Sequence, residues 1–322
     1  MYLLSGWSLL AREVFGHPAF FFEARDAKGA LVGVLPVVQQ KSLLLGNFAT
    51  SLPFFNYGGA LCIDDEIAAA MMRRAQVFAA ELGCSYVEFR DSRPLPGDWI
   101  RRTDKVSMVL QLPGSFAELS RQLGSKLRSQ AKRAEREASS LRIGGMELVD
   151  DFYDVFAHTM RDLGTPVYPR KFFPALLRRF PEHCRIVVID CHGRPAAAGF
   201  IVMYNGRAEI PWAACLAEAK PLGFNMKLYW EVLTYVTEQG CASFDFGRST
   251  VDAGTYKFKK QWGAQPVSLH WHRWERKARG ELSSDASPSG GRLLGLLSRV
   301  WQRIPVPIAN RVGPLISPGL PW

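Results

Sequence analysis

Twice the chain runs a helix-period segment into a glycine and then into a short apolar strand that ends in charge. Asp64–Leu82 stops at Gly83 and is followed by the strand Tyr86–Phe89, with Glu88 and Arg90 at its end. Leu222–Gln239 stops at Gly240 and is followed by Ser243–Phe246, with Asp245 inside the strand and Arg248 beyond it. Glycine takes the left-handed conformation that closes a helix, and the switch from period 3.6 to period 2 marks the strand. Strand-like segments precede each helix. In the first half these are Phe20–Arg25 and Ala30–Val38 across the turn Asp26–Gly29; in the second they are Ile186–Ile189, Ala196–Tyr204 and Arg207–Ala214, joined by His192-Gly193 and Asn205-Gly206. Such an order predicts an α/β protein with two small sheets, each crossed by a helix. A length of 322 residues is enough for two cores. The expected bounds are a first domain over 1–115, a helical connector over 116–141, a second domain over 142–275 and a tail over 276–322. No sequence repeat accompanies the repeated order of elements.

The candidate site is Phe244–Gly263, FDFGRSTVDAGTYKFKKQWG. Alternation puts Asp245 on the opposite side of its strand from Phe244 and Phe246. A polar loop and a short helix follow, bringing Arg248, Ser249, Tyr256, Lys257, Lys259 and Lys260 to the end of a strand, where open α/β sheets keep their sites. The plainer alternative is that Asp245 caps a turn, Arg248 pairs with it and the lysines are a solvated face. Ser51–Gly59 (SLPFFNYGG), with Asn56 and Tyr57, either lines a pocket or packs on its own rings. Gly164–Pro169 (GTPVYP), with Tyr168, reads as a rigid turn.

Charge is concentrated. Of the net +10, residues 121–142 hold seven Lys/Arg against two Glu, and residues 276–322 hold seven against two acids. In 116–141, Leu123, Leu127, Ala131, Ala134, Ala138 and Leu141 form one helical stripe, and Arg121, Arg128, Lys132 and Arg136 form another; the segment is one helix, or two split at Gly124. Such a stripe binds anions or is a solvated face; Arg128, Lys132 and Arg136 are the anion-binding candidates. After a linker-like stretch at 280–291, Leu293, Leu297, Val300, Trp301 and Ile304 share one side of a basic segment. That suits an interfacial membrane helix, or docking onto the protein itself or a partner. Hydrophobic residues at 48% and charged residues at 22% exclude a disordered or fibrous chain. The start lacks a basic region and cleavage site, and no apolar run is long enough to span a bilayer. The expected location is therefore cytoplasmic, with peripheral contact at the inner face of the membrane. The six scattered cysteines form no metal pattern, and no permanently bound cofactor or metal is expected.

Five segments in order, SLPFFNYGG (51–59), KLRSQAKRA (126–134), LGTPVYP (163–169), FDFGRS (244–249) and YKFKKQWG (256–263), resemble the FemAB-related proteins of the PEP-CTERM/exosortase type. The resemblance implies two tandem acetyltransferase-like (GNAT) domains and acyl or aminoacyl transfer to an amine of a cell-envelope or exopolysaccharide precursor. The Phe-Lys-Lys-x-aromatic element of Fem transferases matches Phe258–Trp262, which implies that Lys259 steadies negative charge during transfer. Asp245 and Arg248 complete the expected catalytic group. Tyr256, Lys257, Ser249, Tyr168, Asn56, Tyr57 and Arg90 are the expected substrate-binding residues. The chain lacks the glycine-rich pyrophosphate loop of acetyl-CoA enzymes, reading Ala219–Met226 (AKPLGFNM) there instead. The donor is thus either aminoacyl-tRNA, met by the basic helix, or an acyl-CoA or acyl carrier protein. The acceptor is saccharide or lipid-linked. With no GxSxG and no Cys or His in the focal stretch, direct transfer is expected. A non-catalytic binding module on the same fold is the remaining alternative.

Overall fold

A computed structural model describes residues 2, 4–42, 45–276 and 288–320. In chain order the elements of the first half are α1 (Ser5–Phe15), β1 (Ala19–Arg25), β2 (Leu31–Ser42), β3 (Gly46–Thr50), β4 (Leu61–Cys62), α2 (Asp65–Glu81), β5 (Tyr86–Asp91), β6 (Ile100–Arg102) and β7 (Lys105–Gln111). Then come α3 (Phe116–Gln122), α4 (Ser125–Lys132), a 3₁₀ turn over Arg133–Arg136, β8 (Ser139–Gly144), α5 (Val149–Asp162), α6 (Phe172–Arg179), β9 (Cys184–Cys191), β10 (Arg194–Tyr204) and β11 (Arg207–Cys215). The chain continues through α7 (Phe224–Glu238), β12 (Ser243–Thr250), α8 (Gly254–Lys260), β13 (Gln265–Ser268), β14 (His270–Glu275), α9 (Pro288–Trp301) and α10 (Val306–Ile316).

The chain divides into two units. One holds Met1–Val106 with Ser268–Pro288 and Ile316–Trp322, the other Ser107–Val267 with Ser289–Leu315. In the first unit the strands run β1-β2-β3-β5-β14-β6, with β4 paired to β2. The β3–β5 pair is parallel, bridged by α2, while β1, β2 and β3 pair antiparallel. Asp64 caps α2 by accepting the Ile67 amide at 2.7 Å, as its sequence position predicts. Ala68, Met72, Ala75 and Ala79 of α2 pack on Leu35, Val37, Val87 and Phe89 of the sheet.

In the second unit the order is β13-β7-β12-β11-β10-β9-β8. β8 through β11 pair antiparallel, and β11–β12 is parallel, bridged by α7. One face carries α5 and α6, whose Phe152 and Phe173 meet Phe200 and, for Phe173, Trp212. The other carries α7, with Tyr229 stacked on Phe246 at 5.5 Å. The twice-used plan of antiparallel strands, helix and parallel strand is the one the sequence predicts.

Several expectations change. The segment at 116–141 splits at Gly124 into α3 and α4, as that glycine allows, but it then runs on as a 3₁₀ turn and the start of β8, so Ala138 and Leu141 are not helical. The helix-like spacing persists in sequence after the hydrogen-bond ladder has ended, at Glu137, whose backbone leaves the helical region. This segment falls within the second unit. β13 and β14 are separate strands, and β14 crosses back to pair β5 and β6 in the first unit. The first unit also begins with α1, which the sequence reading lacks; its Leu4 cap offers no side-chain hydrogen bond to announce a start. Leu43 and Leu44, and the linker-like stretch up to residue 287, lie outside the described residues. Among the described residues no helix is long and apolar enough to cross a membrane, and no cluster of three or more His, Cys, Asp or Glu side chains is arranged to hold a metal ion.

Candidate functional site

Parallel β11 and β12 are paired only over Arg207–Glu209 and Ser243–Asp245, although each strand runs on for several residues. Beyond Glu209 and Asp245 the two part. On its other side β11 shifts register against β10, Phe200 facing Trp212 and Val202 facing Glu209, which leaves one extra residue in β11. Glu209 and Asp245 are therefore neighbours at the point of separation, on the sheet face opposite Phe244 and Phe246.

Asp245 is fixed from two directions. Its Oδ1 accepts the Ser107 hydroxyl of β7 at 2.5 Å and the Gly247 amide two residues on at 2.7 Å. The second bond folds β12 at Gly247, whose φ of 77° is left-handed and unstrained only for glycine. The bend aims the carbonyls of Gly247 and Arg248 at α8, where Lys259 Nζ donates to them at 2.9 and 3.0 Å. An ammonium carries three donors, so one N–H remains beyond these two bonds.

Lys259 is only 7% exposed. Burial pushes its pKa down to about 8 from the ordinary 10.5, and Arg248 pushes the same way; the charges of Asp245 and Glu209 hold it up. At neutral pH a buried ammonium thus sits beside two carboxylates at the fork of a sheet. Ser249, also buried, keeps a side-chain oxygen with no hydrogen-bond partner among the described residues. Arg248 and Lys257 are exposed around this point, and Tyr256 is half-buried.

Asp245, Arg248, Ser249, Tyr256, Lys257 and Lys259 thus fall on one strand, its loop and the following short helix. The other sequence candidates lie elsewhere. Tyr168 is a core residue at 4% exposure, edge-on to Trp212 and Phe172. Arg128 donates to the Ser120 and Leu123 carbonyls at the end of α3, closing that helix instead of facing solvent. Lys132 and Arg136 are exposed. Asn56, Tyr57 and Arg90 belong to the first unit.

There the equivalent position is closed by the chain itself. β3 and β5 pair only at Ala49–Val87 and Thr50–Glu88, and the loop after β3 wraps the end of β5. The Gly58 and Gly59 amides bond the Arg90 carbonyl, and the Asp91 carboxylate accepts the Ala60 amide. A Cβ on Gly59 would lie 1.8 Å from Asp91, so only glycine lets the loop come this close. Arg90, 2% exposed, is consumed by Glu88, the Phe55 carbonyl and the Trp271 ring. Leu52, Phe54 and Phe55 of the loop are buried. Phe54 stacks on Phe15, and Phe55 meets Tyr2 and Trp7, so the rings of the SLPFFNYGG segment pack against α1 and the residue ahead of it. Asn56 lends its carbonyl to the Trp271 indole, and Tyr57 is half-buried.

Two residues of this cluster escape a reading of sequence alone. Ser107 lies 138 positions from Asp245, and Glu209 meets Asp245 only through strand pairing. An acidic residue in the strand Arg207–Ala214 is the one signal that points to Glu209. Two cavities lie away from this cluster. One, of about 360 Å³, is lined by Tyr2, Ser8, Phe21 and Glu23; the other, of about 250 Å³, by His183, Tyr204 and Cys241.

Residues 123–260 match the family model described as an acetyltransferase (GNAT) domain. The match covers α4 through α8 and so includes the fork, Asp245 and Lys259. The structure is similar to that of FemX, with TM-score 0.63 and 12% identity over 86% of this chain and 92% of that one. It is also similar to L-PGS from Bacillus licheniformis, with TM-score 0.55 and 14% identity over 94% and 98%. A tandem GNAT protein from the clavulanic acid biosynthesis pathway aligns with TM-score 0.51 and 12% identity over 81% and 84%. No curated protein matches the sequence. The fold is thus that of tandem GNAT proteins, and the match to the acetyltransferase (GNAT) domain lies within the second unit.

Proposed function

We propose that the chain transfers an aminoacyl group directly to an amine of a cell-envelope or exopolysaccharide precursor, at the fork between β11 and β12. The observation that carries this reading is the buried ammonium of Lys259 beside Glu209 and Asp245. The amine lone pair attacks the donor's carbonyl carbon, forming the C–N bond and an oxyanion. Lys259 meets that charge with its remaining N–H; a positioned donor of this kind is worth about 3–4 kcal/mol of barrier. Collapse breaks the donor's ester bond, and the leaving hydroxyl takes up a proton. The proton lost by the amine passes to the Glu209–Asp245 pair, with Asp245 held in orientation by Ser107 and Gly247. Ser249 and Tyr256 bond the acceptor, and Arg248 and Lys257 take phosphates of donor or acceptor.

Aminoacyl-tRNA is favoured as donor by the entrance to α7. Gly223 there packs so tightly that a Cβ would lie 3.1 Å from the Gln130 carbonyl and Arg133. The Asn225 amide is engaged by the Cys215 sulfur. Amides that would otherwise receive a pyrophosphate are in part occupied, and the glycine-rich loop is missing. The likeness to FemX agrees with the aminoacyl branch that the Fem resemblance implies. Exposed Lys132 and Arg136 then meet the tRNA backbone. The match to an acetyltransferase domain supports a second reading, N-acylation from acyl-CoA or an acyl carrier protein. The purified chain, titrated with charged tRNA, acetyl-CoA and acyl carrier protein in thermal-shift and label-transfer assays, separates the two. Stabilisation and transfer from charged tRNA alone is expected. Transfer from a thioester alone would replace the first reading by the second, and silence with all donors would overturn both.

A further inference from the structure

The α9–α10 pair is amphipathic twice over. It is seated on the second unit by one side: Trp301 and Ala309 are buried, Ser298 lies against Gly164, and Gly313 lies against Val167. Arg161 fixes the turn between the helices by donating to the Ile304 carbonyl at 3.3 Å. At 100° per residue, Leu297, Val300 and Leu296 follow at about 40°, 100° and 140° to one side of Trp301. The same count on α10 puts Val312, Ile308 and Leu315 at about 60°, 100° and 120° to one side of Ala309. All six are exposed, Leu315 at 81%. Arg299 and Arg303 border the stripe on α9, and Arg311 borders that on α10; all three are exposed. No acidic residue occurs after Asp285.

We propose that this face docks on an anionic lipid bilayer, with the six aliphatic side chains entering the headgroup boundary and the three arginines meeting lipid phosphates. Charge decides the occupant. An apolar stripe edged only by cations, in a stretch without a single carboxylate, complements a negatively charged surface and repels a second copy of itself. The short helices lie on the surface instead of crossing it. Fixed seating on the second unit means that docking presents that unit in one orientation. The proposal rests on this surface alone and does not depend on the transfer reaction.

The test is sedimentation of the full chain with vesicles of phosphatidylcholine, with and without about 30% phosphatidylglycerol, chosen to supply the negative surface potential. Binding to the anionic vesicles is expected, weakening as salt rises. Leu296→Glu/Leu315→Glu should lose about tenfold or more in partitioning. Arg299→Gln/Arg303→Gln/Arg311→Gln should lose about fivefold per charge on anionic vesicles only. The arginine variant leaves the apolar face untouched and keeps the test open if the glutamate variant misfolds. Equal sedimentation of wild type and both variants, or no sedimentation of wild type, overturns the proposal. So does a dimer in sedimentation velocity that Leu315→Glu converts to monomer.

Discussion

Replacing Lys259 by methionine gives a sharp test of its state. A drop from 10.5 to about 8 spans about 2.5 pH units, and at about 1.4 kcal/mol per unit the buried charge costs folding about 3 kcal/mol at neutral pH. Lys259→Met removes that cost but strands the Gly247 and Arg248 carbonyls, at about 1–3 kcal/mol each. These effects nearly cancel near pH 7, so one stability value there says little. Their pH dependences differ. Between pH 8 and 10.5 the unfolded chain keeps a proton on Lys259 that the native chain has released, so raising pH favours the native state. Wild type should therefore gain on Lys259→Met by about 1.4 kcal/mol per pH unit across that window, with a constant difference below it. Urea unfolding of both proteins at several pH values, read by circular dichroism, measures the difference while common titrations cancel. A difference that stays flat through the window would show that Lys259 is an ordinary solvated lysine and remove the basis for its role.

Three further outcomes follow from the same geometry. If the ammonium form is the working one, kcat/KM falls as pH rises through about 8, and Lys259→Arg, charged to beyond pH 12, loses that limb whatever its overall rate. Gly247→Ala must hold a φ of 77° with a side chain, which should lower stability by about 1–2 kcal/mol in denaturant unfolding. Ser107→Ala frees one side of the Asp245 carboxylate and should cost about 1.5–3 kcal/mol in the same measurement, with slower transfer at unchanged donor affinity.

Local signals made the architecture readable. Gly83 and Gly240 end helices, both with φ of 75°, and the strands they introduce are the ones that pair in parallel. The Asn205-Gly206 turn joins β10 to β11 as its residue types dictate. Spacing failed where helical periodicity outlived the helix, at Ala138 and Leu141, and where pairing is decided at long range. β14 follows the second unit in sequence, yet its partners are β5 and β6. The site divides along the same line. Asp245, Arg248, Ser249 and Lys259 are close in sequence and were visible together. Ser107 and Glu209 reach Asp245 only through the sheet, and Arg90 has a cation's look of function while being used up by its own loop.

The most direct test of the proposed reaction centre is single-turnover transfer from charged tRNA to an amine acceptor, comparing wild type with Lys259→Ala and measuring donor affinity in parallel. A fall in rate of about 10²–10³ at unchanged donor affinity is the expected result. Transfer that persists within about twofold would contradict a role for Lys259 in stabilising the transition state.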